Sequence, residues 1–459
     1  MSCIISSPST DTGKTTLSLL ISCWAFSKGL KLQTFKVGPD YLDQEQLSSI
    51  GHPICRNLDI FLSGEDWVKR TFYEHSNKND LALIEGAMGL FDGLGSTHFS
   101  STANVAKILS LPIVFIVNAK GQVGSLLALI KGFQELDKKV DIKGIVFNNV
   151  NTKRHEELIK EVFKNQPIQI LGFLPFNENI NLKRGNLGLI SPLEQKRKIN
   201  VEYFAKYAEK HLDFSALFTL LKPKKIEIKK YNDINLNRFF QTKPIAIAED
   251  KIFHFQYPET KEYLKELRIP LISWNIYEDQ EIPKEASLLI IPGGFPERYA
   301  QHISHSKRSL NSLKKFYREK FIYAECGGMM ILGDSIEDEN GLSFNMAGIL
   351  PFKSKKGSLS VGYRYLKGEG NSILLKKDQE IRGHEFHYWQ IFSEFNKTQN
   401  KNKRDNTLFS SPWEIKSWGT KYTKEGWSNK NLHASWVHLH LPSNKEALNN
   451  MLLNAQKQI

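Results

Sequence analysis

Short apolar runs alternate with amphipathic stretches through the first half of the chain. The runs fall at Cys3–Ser6, Leu32–Phe35, Leu81–Ile84, Ile113–Val117, Gly144–Phe147 and Ile168–Leu174, and a helical run, Leu17–Phe26, follows the first of them. Strands alternating with helices predict a parallel α/β sheet, because parallel neighbours need a long crossover that a helix supplies. Residues 221–243 are charged, lack periodicity and read as a linker. The alternation restarts at Pro244–Ala248 and continues at Leu288–Ile291 and Phe321–Tyr323. An α/β chain of two domains is therefore expected, 1–220 and 244–459, joined by 221–243. Residues 395–407 read as a mobile insertion, and no repeat of fixed period is present.

Composition narrows the class only slightly. The chain has 459 residues, 41% hydrophobic and 24% charged, as in ordinary globular proteins. No stretch of about 18 consecutive apolar residues is present, so no membrane span is expected. The N-terminus has neither a basic leader nor a small-residue cleavage site, and a cytoplasmic location is expected. The net charge of +13 is concentrated partly in Lys222–Lys230 and Lys397–Arg404. These segments read as solvated linker and loop, and no basic helix with interleaved aromatics suggests nucleic acid. A polyanionic small molecule remains compatible with the charge. The four cysteines, Cys3, Cys23, Cys55 and Cys326, form no C-x-x-C pair, so neither a disulfide framework nor a zinc site is expected. The sequence leaves oligomeric state open, a homodimer included.

Candidate chemistry sits where the apolar runs end. After Cys3–Ser6 comes Pro8-Ser9-Thr10-Asp11-Thr12-Gly13-Lys14-Thr15-Thr16, a P-loop with Pro8 in place of its first glycine. Amides at the start of the following helix would cradle phosphates, Lys14 would reach the terminal phosphates, and the Thr15 hydroxyl would ligate Mg²⁺. ATP contacts are thus expected at Thr12, Gly13, Lys14, Thr15 and Thr16. Lys36, Asp40 and Asp43 follow the second run, and Glu85 ends the third in the manner of a magnesium-holding carboxylate. Asn118, Asn148 and Asn149, at later tips, suit base or ribose contacts.

In the second half, Phe321-Ile322-Tyr323 leads into Ala324-Glu325-Cys326-Gly327-Gly328. An apolar run turning sharply at a cysteine flanked by small residues has the layout of a nucleophile elbow, although a small core residue would give the same local pattern. The turn at Gly293-Gly294 and the amide of Gly327 could supply oxyanion donors. His438 and His440 are expected on one face of a last strand, either one available as base.

Phe35–Tyr41, Arg56–Asp59, Ile84–Gly93, Tyr323–Gly328, Gly383–Tyr388 and His438-Leu439-His440 together resemble, in order and over nearly the whole chain, the cobyrinate a,c-diamide synthase family. The resemblance implies a P-loop NTPase-type parallel sheet similar to dethiobiotin synthetase, followed by a class I glutamine amidotransferase-type, flavodoxin-like domain. It implies ATP and Mg²⁺, L-glutamine and a cobyrinate-type corrinoid as reaction partners. Related enzymes amidate hydrogenobyrinate or nickel-sirohydrochlorin instead. It implies Cys326 as nucleophile, His438 as the base that activates it, Lys14 and Lys36 on phosphates, and Thr15, Asp40 and Glu85 about magnesium. Two departures stand out: Asp11 occupies a usual glycine position, which predicts weaker phosphate binding, and His440 stands where class I amidotransferases carry glutamate. The third member of the Cys–His group is therefore expected to be absent or supplied from elsewhere. The rival expectation is a partitioning-type P-loop ATPase, which would lack a cysteine domain.

Overall fold

The computed structural model describes residues 1–182, 184–185, 188–189, 199–227, 243–370, 372–393 and 409–457. The insertion expected at 395–407, and Lys183 and Asn186 of a basic loop, lie outside them. The chain forms two compact units, Met1–Lys230 and Tyr231–Ile459.

In the first unit, β1 (Cys3–Ser6), β2 (Leu32–Val37), β3 (Arg56–Leu58), β4 (Leu81–Glu85), β5 (Ile113–Asn118), β6 (Ile142–Asn148) and β7 (Gln169–Leu174) form one sheet. Its order is β3-β2-β4-β1-β5-β6-β7, with every neighbouring pair parallel. The pleat sends Ile4 into one apolar core and Cys3 and Ile5 into the other, so both faces are covered and the strands are apolar throughout. Because the strands run the same way, their carboxyl ends share one edge. There Lys36 pairs in register with Glu85, and Asn118 with Asn148. Helix α1 (Lys14–Ser27) is buried on most sides, and its Trp24 stacks on Phe214 with centroids 3.9 Å apart. A two-rung ladder, β8 (Arg184–Gly185) with β9 (Gly188–Leu189), follows.

The second unit begins with β10 (Ile245–Ala248), β11 (Leu271–Trp274), β12 (Leu288–Ile291) and β13 (Phe321–Glu325). It continues through β14 (Ser335–Glu337), β15 (Ser343–Asn345), β16 (Lys353–Gly368), β17 (Glu380–Phe392), β18 (Trp413–Lys416) and β19 (Thr423–Glu425), and ends with β20 (Trp427–Asn429) and β21 (Leu432–Ser435). The central sheet has the order β11-β10-β12-β13-β21-β20 and is parallel except for β20. The strands β14 to β19 make a separate, mainly antiparallel sheet that the apolar pattern did not announce. Its longest strand, β16, is polar and largely exposed along its first half.

One expectation is corrected here. The last strand stops at Ser435, so His438 and His440 do not sit on it. They follow in an extended segment that β17 holds: the His384 amide donates to the His438 carbonyl at 3.0 Å, and the His438 amide to His384 at 2.8 Å. Among the described residues no helix is long and apolar enough to cross a membrane.

Candidate active sites

The carboxyl edge of the first sheet opens into a cleft of about 440 Å³. Gly13, Lys14, Thr15 and Thr16 line it, with Lys36, Asp40, Asp43 and Glu85 opposite. Gly13 has φ 112°, which lets the chain enter α1 directly from the loop. Asp11 has φ 69°. The left-handed turn that glycine would make is therefore kept, since aspartate tolerates that region better than most residues. Thr12 differs from expectation: it does not line the cleft, and its hydroxyl donates to the Ser9 carbonyl at 2.9 Å. Asn148 braces the loop from β6 by donating to the Thr12 carbonyl at 2.9 Å. That amide would lie 2.6 Å from a Cβ on Gly13.

The two lysines are held differently. Lys14 Nζ donates to Ser7 Oγ at 2.8 Å and to the carbonyls of Ser9 and Met88 at 3.1 and 2.6 Å. Burial and the neighbouring Lys36 charge bring its pKa down to about 8. Lys36 Nζ lies 2.6 Å from Asp43 Oδ2 and 2.9 Å from Glu85 Oε1. Burial works against its charge, but the two carboxylates outweigh it and hold the pKa above the ordinary lysine value. Asp40 is partly exposed to the cleft, yet protein packed around its carboxyl and the charge of Asp43 push its pKa up to about 7.

Glu85 is fully buried, and its Oε1 accepts from Thr15 Oγ1 at 2.7 Å as well as from Lys36. Its Oε2 has no hydrogen-bond partner among the described residues. A buried carboxylate oxygen without a partner, beside a threonine hydroxyl and Asp40, is a hard oxygen donor set of the kind that suits Mg²⁺. No three His, Cys, Asp or Glu side chains form a preformed metal cage among the described residues. Mg²⁺ needs none, since it usually keeps waters and substrate phosphates as ligands.

In the second unit, Cys326 has φ 46° and ψ −113°, a conformation that side chains rarely adopt. Its amide donates to the Ser435 carbonyl at 2.7 Å, and a one-turn helix, Gly327–Met330, starts immediately after it. The turn tolerates only small neighbours: a Cβ on Gly328 would sit 2.3 Å from the Ile291 carbonyl oxygen. A Cβ on Gly327 would sit 2.6 Å from the Gly294 carbonyl oxygen and 3.1 Å from its amide nitrogen, so the residue after the cysteine packs directly against the Gly293-Gly294 turn. Gly293 serves the site in another way. A Cβ there would be 2.3 Å from His438 Cε1, so its lack of a side chain makes room for the imidazole.

His438 is buried and hydrogen-bonds Cys326. Its Nδ1 lies 3.4 Å from Glu325 Oε2. Burial lowers its pKa, but the Cys326 sulfur and Glu325 outweigh burial and raise it to about 10. Glu325 Oε1 accepts from the Tyr323 hydroxyl and, at 3.1 Å, from the Leu439 amide. Sequence reasoning passed over Glu325 because it ends an apolar run and looked like part of the turn. His440 faces away, its Nδ1 2.9 Å from Ser443 Oγ and its ring against Tyr257. The other cysteines show no such setting; burial alone pushes the thiols of Cys3 and Cys23 up to about 12.

The Gly383–Tyr388 motif braces this region. Glu385 accepts from Arg364 Nε and Nη2 at 2.9 and 2.7 Å and from Ser360 at 2.9 Å, while His387 stacks on Trp436 with centroids 4.0 Å apart.

Comparison with known proteins gives two family matches. Residues 3–187 match the CobQ/CobB/MinD/ParA nucleotide binding domain, and residues 244–446 the CobB/CobQ-like glutamine amidotransferase domain. Whole-chain similarity is found with proteins named cobyrinate a,c-diamide synthase. That of Caldanaerobacter subterraneus subsp. tengcongensis is 33% identical over 446 residues, covering 96% of this chain and 95% of its own. That of a Synechococcus species is 33% identical over 471 residues, covering 100% and 99%. That of Clostridium acetobutylicum is 34% identical over 458 residues, covering 98% and 99%.

Proposed function

Since this chain belongs to the cobyrinate a,c-diamide synthase family, we propose that it converts the a and c acetate carboxylates of cobyrinate to amides, using glutamine-derived ammonia and one ATP for each. The observation that carries this reading is the presence in one chain of a P-loop cleft and a strained cysteine hydrogen-bonded to a histidine.

The second unit would act as a glutaminase. Cys326 sulfur attacks the side-chain amide carbon of glutamine, and the oxyanion is met by the amides of Gly327 and the Gly293-Gly294 turn. The C–N bond then breaks, and His438 passes its proton to the departing ammonia. Water attacks the resulting glutamyl thioester, His438 takes a proton from it, and glutamate leaves with the thiolate restored.

The first unit would act as the ligase. A carboxylate oxygen of the corrinoid attacks the γ-phosphorus of ATP, ADP leaves, and an acyl phosphate forms. Ammonia attacks the acyl carbon and phosphate departs with the C–O electron pair. Activation is required because the leaving group from a free carboxylate would be oxide. Lys14 and Lys36 supply positive charge to the phosphates, and the amides of Gly13, Lys14, Thr15 and Thr16 orient them. Thr15, Glu85 and Asp40 would hold Mg²⁺, which when bound neutralises charge on the β- and γ-phosphates. On this reading the enzyme works in the cytoplasm, where ATP and glutamine are supplied.

The test is incubation with Mg-ATP, glutamine and, separately, cobyrinate, hydrogenobyrinate and nickel-sirohydrochlorin, followed by mass spectrometry. Gain of two amides on cobyrinate is expected. Preferential conversion of another tetrapyrrole would reassign the substrate, and no conversion of any would overturn the proposal.

A further inference from the structure

A cysteine–histidine couple cleaves amides well when the imidazole is held in one tautomer and its charged form is stabilised. The group facing the outer nitrogen of His438 is the carboxylate one residue before the nucleophile. We propose that Glu325 is the positioning residue of this site, fixing His438 with its proton on Nδ1 so that Nε2 serves Cys326; this rests on the second unit acting as a glutaminase.

Local geometry makes the arrangement possible. On β13 side chains alternate, so Tyr323 and Glu325 share a face with Ala324 on the other. The Tyr323 hydroxyl donates to Glu325 Oε1, and the Leu439 amide donates to the same oxygen at 3.1 Å. One carboxylate oxygen thus fixes the main chain beside His438, while Oε2 is aimed at its ring, 3.4 Å from Nδ1. That separation is long for a hydrogen bond, as catalytic contacts often are before substrate is bound. The sharp turn at Cys326 then swings the sulfur to the ring's other side.

Other groups near the ring do not fill the role. His440, two residues on, is engaged with Ser443. Glu425 accepts from Trp413, Ser435 and the Trp436 amide. Glu385 is paired with Arg364. From β17, His384 and His387 face His438, but burial holds them neutral, with pKa values of about 3 and 4. The Arg364 charge helps to lower the pKa values of both these histidines, so no negative charge for the imidazolium comes from them, and the Glu325 carboxylate supplies it.

The experiment compares glutamate release and the pH profile of Cys326 alkylation by iodoacetamide in the unaltered chain, Glu325→Gln and Glu325→Asp. Glutamine still accepts from Tyr323 and Leu439, so the elbow keeps its hydrogen bonds. Glu325→Gln is expected to lose roughly 10²–10⁴-fold in kcat with little change in KM. Its alkylation midpoint should rise, and Glu325→Asp should recover part of both. A Glu325→Gln enzyme with unaltered kcat, or with lowered kcat but an unaltered alkylation profile, overturns the proposal. Should Glu325→Gln not fold, ¹H–¹⁵N NMR of the histidines in the unaltered chain decides, since His438 carries its Nδ1 proton in the charged form: an Nδ1 proton shifted far downfield, as a carboxylate acceptor causes, supports the role, and an Nδ1 proton without that shift overturns it. Absence of glutamate release from the unaltered chain overturns the glutaminase reading itself.

Discussion

Thr15 and Glu85, 70 positions apart in the chain, meet through a 2.7 Å hydrogen bond to the same carboxylate oxygen that Lys36 contacts at 2.9 Å. The start of α1 and the tips of β2 and β4 are thereby tied to one buried acid. Glu85→Gln removes one of the two carboxylates in ion-pair contact with Lys36 and leaves Asp43, and is expected to cost about 1–3 kcal/mol, the scale for a buried donor that loses a charged acceptor. Urea unfolding measures that loss, and calorimetry should show ATP binding that no longer responds to added Mg²⁺. Unchanged stability and magnesium response would remove Glu85 from the site.

Cys326→Ser separates the two chemistries. Glutamine-dependent amidation is expected to fall by at least about 10³-fold, the scale for losing a nucleophile. Amidation driven by a high concentration of ammonium salt should persist. Equal loss with both nitrogen sources would contradict the division of labour between the units.

Asp11→Gly tests the unusual P-loop. It removes an exposed negative charge from the cleft and relieves a left-handed conformation that costs an L-residue about 1 kcal/mol. Tighter ATP binding, by several-fold at low salt, is expected in a titration. Weaker binding would mean that the aspartate contributes directly to the ligand.

Gly293→Ala places a methyl group 2.3 Å from His438 Cε1. The ring must shift, and a displacement of about 1 Å at a catalytic base lowers turnover roughly 10²-fold. Glutamate release should fall on that scale, with a loss of about 1–3 kcal/mol in urea unfolding from the overpacked site.

Acid should destabilise the second unit in a defined window. Burial holds His384 and His433 near pKa 3, against the ordinary 6.5 that the unfolded chain regains. Between these values the unfolded state binds more protons, so stability present above pH 6.5 is lost as pH falls toward 3. Each histidine contributes up to about 1.4 kcal/mol per pH unit. His433→Gln should flatten the measured slope by one proton, whatever it does to stability at neutral pH.

The parts of the fold legible in the sequence are those with the simplest physical signature. Buried parallel strands such as β1, β4 and β12 are continuous apolar runs, and the P-loop and the cysteine elbow combine small residues with a strand end. The three-residue β3 is too short to show a period. The sheet containing β16 and β17 is half exposed and polar, so its alternation is faint. At the site, Lys36, Glu85 and Cys326 were readable because they end apolar runs. The position of Glu325 against His438 was not, because it depends on a turn bringing a strand tip to a segment more than a hundred residues later. Thr12 contacts Ser9 and Gly293 makes room for His438, contacts that side-chain packing decides and a linear pattern does not show.

Lys14 is shared among three oxygens of its own chain and has a pKa of about 8. Phosphate oxygens brought beside it would favour its charged form and raise that value. Near that pH, nucleotide binding therefore draws a proton from the surrounding buffer. The heat of binding will then depend on the buffer's own ionisation enthalpy, and affinity will decline as the medium becomes alkaline.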